Sequence, residues 1–239
     1  MEILNIKRDE LEKLKVIEEG SEGRIYLHQN HIIKLYGHPE GYNINKIKYF
    51  CNVQENMQGT KLPHGVVIID DIFSGCLQRY FKDYQELNML NANISIEYVI
   101  YFLKLFLKNI DELIQNKIYP VDLFYGNVLF SVVKQDVQII DLDGYGSVIK
   151  KQHNQKILRK VLNQYLSTIF EVLFYEYINE KWYINHKSII KRYPFKKEYA
   201  DIIINDTLSI EFLYEFLEYF QKDEKDIFKN SNKLLKLKH

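Results

Sequence analysis

An α+β fold in two unequal parts is predicted for this 239-residue chain. Three observations predict it. Between about Leu14 and Tyr36, short runs alternate apolar and polar residues and are broken by turn residues, the period-two mark of strands. From about residue 84 onward, apolar residues recur instead at three and four, the stripe of helices packed on a core. A content of 46% hydrophobic residues, 14% of all residues being aromatic, supplies enough apolar surface for a real core.

The chain opens on a charged stretch, MEILNIKRDELEKL, expected as a short helix. LKVIEE, RIYLHQ and HIIKLY then read as strands, joined through GSEG and through a Gln29-Asn30 turn. That turn places Lys34 opposite Ile25, so Ile25, Ile32 and Lys34 share one face. A lysine thus stands on an otherwise apolar wall. Residues 43–57 have helical spacing, and GVVIIDDIF and GCLQRYF read as two further strands, which makes a five-stranded sheet with one helix. Val99, Phe102, Leu103, Phe106, Ile110, Leu113 and Ile114 then mark a long helix that delivers the chain to YPVDLFYGNVLF. VLFSVV and VQIID form a second hairpin about Lys134 and Gln135. That register sets Asp141 opposite Val128 and returns its carboxylate beside Asn127. The segments ILRKVLNQYLSTIFEVLFYEY and IEFLYEFLEYF read as helices, with the Tyr and Phe residues of 211–220 in a core or on a partner face, and KLLKLKH as a solvated tail. The division falls near Tyr80 to Tyr84: residues 1–81 form a sheet lobe and 82–239 a helical lobe.

Charge and composition exclude several classes of function. Lys and Arg total 32, and Asp and Glu total 32, so no global field draws nucleic acid, and no basic arm is interleaved with aromatics. Cys51 and Cys76 belong to no metal-like cluster and fit a reducing compartment; a cytoplasmic location is expected. The first residues lack the apolar core of a signal peptide. The greasiest segment, YVIYFLKLFLKNI, is interrupted by Lys104 and Lys108, and no membrane span is expected. The seven histidines make no metal or His-Glu-x-x-His spacing and are expected at the surface or in packing.

What remains is a polar constellation. Asp122 and Asn127 lie five residues apart in a loop between an apolar helix and an apolar strand, and a hairpin returns Asp141 to them. An amide oxygen and a carboxylate suit a hard cation such as magnesium, which takes few protein ligands and leaves room for phosphates. The glycines of GSEG let backbone amides approach phosphates, and Lys34 adds a positive charge from the neighbouring strand. Singly, each has a plainer use: Gly20 and Gly23 in a tight turn, Lys34 as an edge charge, Asp122 and Asn127 as turn caps. Their order along the chain favours the joint reading.

In that order the sequence resembles the protein kinase-like fold, which includes the aminoglycoside phosphotransferase-like small-molecule kinases. The motifs are Gly20-Ser21-Glu22-Gly23-Arg24-Ile25-Tyr26, Ile33-Lys34, Asp122-Leu123-Phe124-Tyr125-Gly126-Asn127 and Asp141-Leu142-Asp143-Gly144, within residues 14 to 175. The resemblance implies a bilobal fold with ATP between a small antiparallel sheet lobe and a mainly helical lobe. It implies that Gly20, Ser21, Gly23 and Lys34 hold the phosphates, that Asp122 orients and deprotonates a hydroxyl, and that Asn127 and Asp141 hold Mg²⁺. Ile17, Ile25 and Ile32 would roof the adenine and Leu129 would floor it, with hydrogen bonds from the backbone near Arg79 to Phe81.

The departures are informative. Glu18 stands where the first loop glycine is usual. Pro120 and Val121 replace His-Arg, so switching by loop phosphorylation is not expected. Leu142 and Asp143 replace the Phe of Asp-Phe-Gly; Asp143 competes with Asp141 as metal ligand, and Asp141 is preferred for its spacing. No Ala-Pro-Glu follows, so a large peptide-docking platform is not expected. The helix glutamate that would pair with Lys34 is Glu55 by one alignment, while another puts Asn45 at that place. The first reading is an atypical serine/threonine protein kinase that uses ATP and Mg²⁺; the alternatives are a small-molecule kinase and a nucleotide-binding pseudokinase scaffold.

Overall fold

A computed structural model describes residues 1–20, 23–87, 95–144, 146–174, 190 and 195–227. Its first part is a six-stranded sheet with β1 Glu2–Ile6, β2 Lys15–Gly20, β3 Gly23–His28, β4 His31–Tyr36, β5 Gly65–Ile69 and β6 Ile72–Arg79, in the order β1-β5-β6-β4-β3-β2. The expected five strands lacked β1. Residues read as one charged helix are a strand that pairs in parallel with β5, followed by a single turn, α1 Arg8–Leu11. The β5–β6 turn also moves: Asp70 and Asp71, both in the left-handed region, make it, and β6 begins at Ile72 rather than after Ser74. Helix α2, Ile44–Val53, follows β4 and is capped by Asn43, whose side chain accepts from Asn45 N at 2.9 Å.

Alternation gives the sheet two faces. Tyr26, Ile33, Val67 and Leu77 pack outward with Ile6, Leu11 and Ile69 in a small cluster. Lys34 pairs with Ile25 on one side and Cys76 on the other, and Cys76 with Val66, so this row lies on the opposite face. There Val66, Cys76 and Tyr36 join Ile47 and Phe50 of α2 in the main core, which continues through the helical part. Lys34 therefore faces the rest of the molecule.

The second part begins beyond β7, Gln85–Glu86, with α3, Ile96–Gln115. Its expected stripe is buried, Phe102, Leu103, Phe106, Ile110 and Leu113 completely. Each such side chain contributes roughly 1.5–3 kcal/mol of apolar burial. Two small ladders follow: β8 Ile118–Pro120 pairs with β11 Ser147–Ile149, and β9 Val128–Ser131 lies between β7 and β10 Asp136–Ile139. Helices α4 Gln155–Phe174, α5 Lys197–Ile204 and α6 Ile210–Ile227 complete the described elements. Phe212, Phe216 and Phe220, spaced by four along α6, make successive ring contacts, the first stacked and the second edge-on, and sit in the main core, one of the two places expected for that stretch. Among the described residues no helix is long and apolar enough to cross a membrane. The KLLKLKH tail lies outside the described residues.

The β9–β10 hairpin corrects one register. Ile139, not Asp141, pairs with Val128, because Val132 and Val133 belong to the turn. The slip is two residues, so the faces are kept. Asp141 falls just past the ladder, and Ile140 N donates to Asn127 O at 2.9 Å, which still brings the strand end back to Asn127.

Candidate functional site

The sheet lobe delivers Lys34 and the helical lobe delivers two acids to meet it. Lys34 Nζ donates to Asp141 Oδ1 and lies 3.4 Å from Asp143 Oδ2. The side chain of Asp143 is fully buried, those of Lys34 and Asp141 are 10% and 24% exposed, so the cluster closes on its inner side and opens at Asp141. Burial pulls the Lys34 ammonium down, but Asp143 and Asp141 together outweigh it and hold its pKa above the ordinary lysine value. Lys34 stays charged. Asp141 adopts φ 60°, the left-handed region that aspartate tolerates better than most residues. Only glycine fits at 146, where a Cβ would come within 2.0 Å of Asp141 O.

Three further side chains frame this cluster, and sequence reasoning missed them. Gln78 of β6 donates from Nε2 to Asp143 Oδ1 at 2.7 Å. Its signal was a lone amide inside GCLQRYF, an apolar strand. Tyr36 is buried beside Cys76 and Asp143; burial first, then those two groups, push its hydroxyl well above the usual tyrosine range. Lys46 of α2 donates to Gly144 O at 2.5 Å and Ser147 O at 2.8 Å. Burial pulls its ammonium down to about 8, against the upward pull of Asp143 and Asp141.

The expected helix partner of Lys34 is a correction. Glu55 lies in a single 3₁₀ turn after α2, Asn45 in the first turn of α2, and both are exposed. Among the described residues Lys34 pairs with Asp141 and Asp143, and neither Glu55 nor Asn45 reaches it. What α2 presents to the cluster is a cation.

The loop of residues 121–127 is braced by Gly146 and by α4. Val121 N donates to Gly146 O at 2.9 Å, Gln164 of α4 donates to Val121 O at 2.8 Å, and Thr168 of α4 donates to Leu123 O at 3.4 Å. Asn127 is 7% exposed, and its Nδ2 donates to Asp122 O at 3.1 Å, which directs Oδ1 elsewhere. Burial raises the Asp122 carboxyl above its ordinary value, the Asp141 charge adds to this, and Lys160 opposes it. The loop and the Lys34 cluster therefore share one electrostatic site.

The nucleotide-facing expectations are placed unevenly. Ile25 and Ile32 lie on the Lys34 face, partly buried, and Leu129 is partly buried on β9. Ile17 is the extra residue of a bulge in β2 and is 43% exposed. Gly23 has φ 142°, and a Cβ there would lie 1.8 Å from Leu35 O, whereas one at Gly20 would meet nothing within 4 Å. Ser21 lies outside the described residues. Tyr80 N, in the stretch expected to bind adenine, donates to Asn30 O at 3.3 Å.

Among the described residues no three His, Cys, Asp or Glu side chains gather as a cage for a metal ion. The carboxylates of Asp141 and Asp143 and the amide oxygen of Asn127 are the residues that could hold a hard cation, which would complete its shell with phosphate and water. Asp143 Oδ2, buried without a hydrogen-bond partner, is an oxygen that such an ion or Lys34 would satisfy.

No protein-family model and no curated protein sequence matches the chain. Solved structures do. One is the kinase PK-1 of Cydia pomonella granulovirus, with a TM-score of 0.54, 16% sequence identity, and 77% of this chain and 80% of that chain covered. At that identity the likeness is one of fold, and the chain has the bilobal α+β fold of the protein kinase-like proteins.

Proposed function

We propose that the chain is an ATP- and Mg²⁺-dependent phosphotransferase whose acceptor is a hydroxyl, in the first instance that of a protein serine or threonine. The observation that carries the reading is the convergence of Lys34 from the sheet with Asp141 and Asp143 from the helical part, beside the loop of Asp122 and Asn127. Residues 1–81 would act as the nucleotide lobe and 82–239 as the acceptor lobe. Lys34, held charged, suits the α and β phosphates. Asp122 would take the acceptor's proton as the acceptor oxygen bonds to the γ-phosphorus and the bond to the β–γ bridging oxygen breaks. Asp141, with Asn127 and the neighbouring Asp143, would hold Mg²⁺, which when bound neutralises phosphate charge.

Two observations favour other acceptors or none. Only residues 144–154 lie between Asp143 and α4, part of them spent on β11, which leaves little chain for docking a peptide and favours a small-molecule hydroxyl. Among the described residues no helix carboxylate reaches Lys34, which favours a nucleotide-binding scaffold without turnover. Incubation with γ-labelled ATP and Mg²⁺ separates them: label moves to protein, to an added small molecule, or to nothing while ATP still raises the melting temperature. Asp122→Ala is expected to abolish transfer and spare ATP binding, and Asp141→Asn to remove the Mg²⁺ dependence of binding. Full turnover in both variants would refute the roles assigned.

A further inference from the structure

Lys46 is the third residue of α2. The amino end of a helix carries the positive pole of its dipole and favours an acid there, most of all at this position. The first turn of α2 has no acid and has this lysine instead. Lys46 also draws its charge into a partly buried position near a second cation, Lys34. Helix and solvent both disfavour the residue, so contacts outside α2 must compensate.

Those contacts are the carbonyls of Gly144 and Ser147, which bracket one short segment. Tyr42, just before α2, lies against the same segment: a Cβ at Gly144 would sit 3.1 Å from its ring. From within, Ser147 Oγ donates to Leu142 O at 2.6 Å, which folds the segment back on the residues that carry the acids. We propose that Lys46 is a positioning residue, whose two hydrogen bonds fasten Gly144 and Ser147 to α2 and so hold Asp141 and Asp143 against Lys34. Its consequence for turnover rests on the phosphotransferase reading; the fastening does not.

The test uses the full chain with Lys46→Met, which keeps the stem and removes the donors, and Lys46→Arg, which keeps a cation with several donors. Amide hydrogen exchange is read at 146–149 with α3 as reference, and kcat and KM for ATP are read in the labelled-phosphate assay. In Lys46→Met, losing two charge-assisted bonds is expected to speed exchange at 146–149 by about tenfold or more with α3 unchanged. It is also expected to lower kcat by about tenfold while KM for ATP moves less than about threefold, and Lys46→Arg is expected to recover most of both. Unchanged exchange at 146–149 overturns the proposal, as does exchange that rises equally in α3, which marks a merely structural lysine. If Lys46→Met does not fold, Lys46→Gln, whose shorter neutral side chain weakens both bonds, is expected to speed exchange at 146–149 by a smaller factor with α3 unchanged, and unchanged exchange there again overturns the proposal. Should the wild-type chain transfer no phosphate, the function proposed above fails, and the exchange data alone decide the role of Lys46.

Discussion

The two glycines of the first hairpin look equivalent in sequence and differ in the fold. Gly23 combines φ 142° with a close approach to Leu35 O, while Gly20 faces open space. Gly23→Ala is therefore expected to cost about 2–4 kcal/mol through strain and overpacking. Gly20→Ala is expected to stay within about 0.5 kcal/mol of wild type. Urea unfolding of both variants checks the ranking, and equal costs would mean that the β2–β3 hairpin is not built this way. At this scale sequence reasoning found residues whose type is rare in its setting, such as Lys34 on an apolar strand. It missed Gln78 and Lys46, although each broke a local rule: an amide within an apolar strand, and a cation at the positive end of a helix. It also sought a glutamate for Lys34 in the helical spacing of residues 43–57, whereas the partners are Asp141, 107 residues away, and nearby Asp143.

Strands and turns show why some elements were readable and others were not. The Gln29-Asn30 turn fixed the β3–β4 register because polar turn residues sit between two alternating runs, and Ile25 does pair with Lys34. The β9–β10 register slipped because its turn is partly apolar: Val133 is 89% exposed there, so composition hid the bend. Strand β1 was hidden for another reason, since only its parallel pairing with β5, some sixty residues on, makes it a strand. That joint also holds a titratable contact. His64, just before β5, accepts Glu2 N at its carbonyl and has its ring 5.0 Å from that of His31. Burial first, then His31, Arg79 and the N-terminal amine, lower its pKa below the ordinary 6.5, with Glu2 opposing. A folded state that resists a proton which the unfolded chain accepts loses stability as pH falls through about 6.5, until the lowered folded pKa is passed. His64→Phe removes that proton. The drop in melting temperature between pH 7.5 and pH 5.5 is expected to be smaller in the variant, and an identical drop would place the acid sensitivity elsewhere.

Across the whole molecule, one apolar core runs from Tyr36, Val66 and Cys76 of the sheet through Ile47 and Phe50 of α2 into α3, α4 and α6. The two lobes share buried surface and should not melt as strangers. A polar fastening reinforces this. Glu112 of α3 accepts Gln58 N at 2.6 Å and Gly59 N at 2.9 Å, and Gln138 of β10 accepts Lys61 N at 2.8 Å. The chain between α2 and β5 is thus moored to the helical lobe, with Gly59 so close that a Cβ would lie 2.0 Å from Asn109 Oδ1. The mooring fixes the far end of α2 while Lys46 ties its near end, so α2 is held at both ends by the other lobe. Glu112→Ala strands two backbone amides and is expected to cost about 2 kcal/mol, since bonds to a carboxylate are stronger than neutral ones but these retain some access to water. For a chain of this length that is a fall in melting temperature of roughly 4–8 °C. Scanning calorimetry should show wild type and variant each unfolding in one transition, because the apolar core remains continuous after the mooring is cut. A variant that separates into two transitions would show that Glu112, rather than the shared core, makes the lobes cooperative.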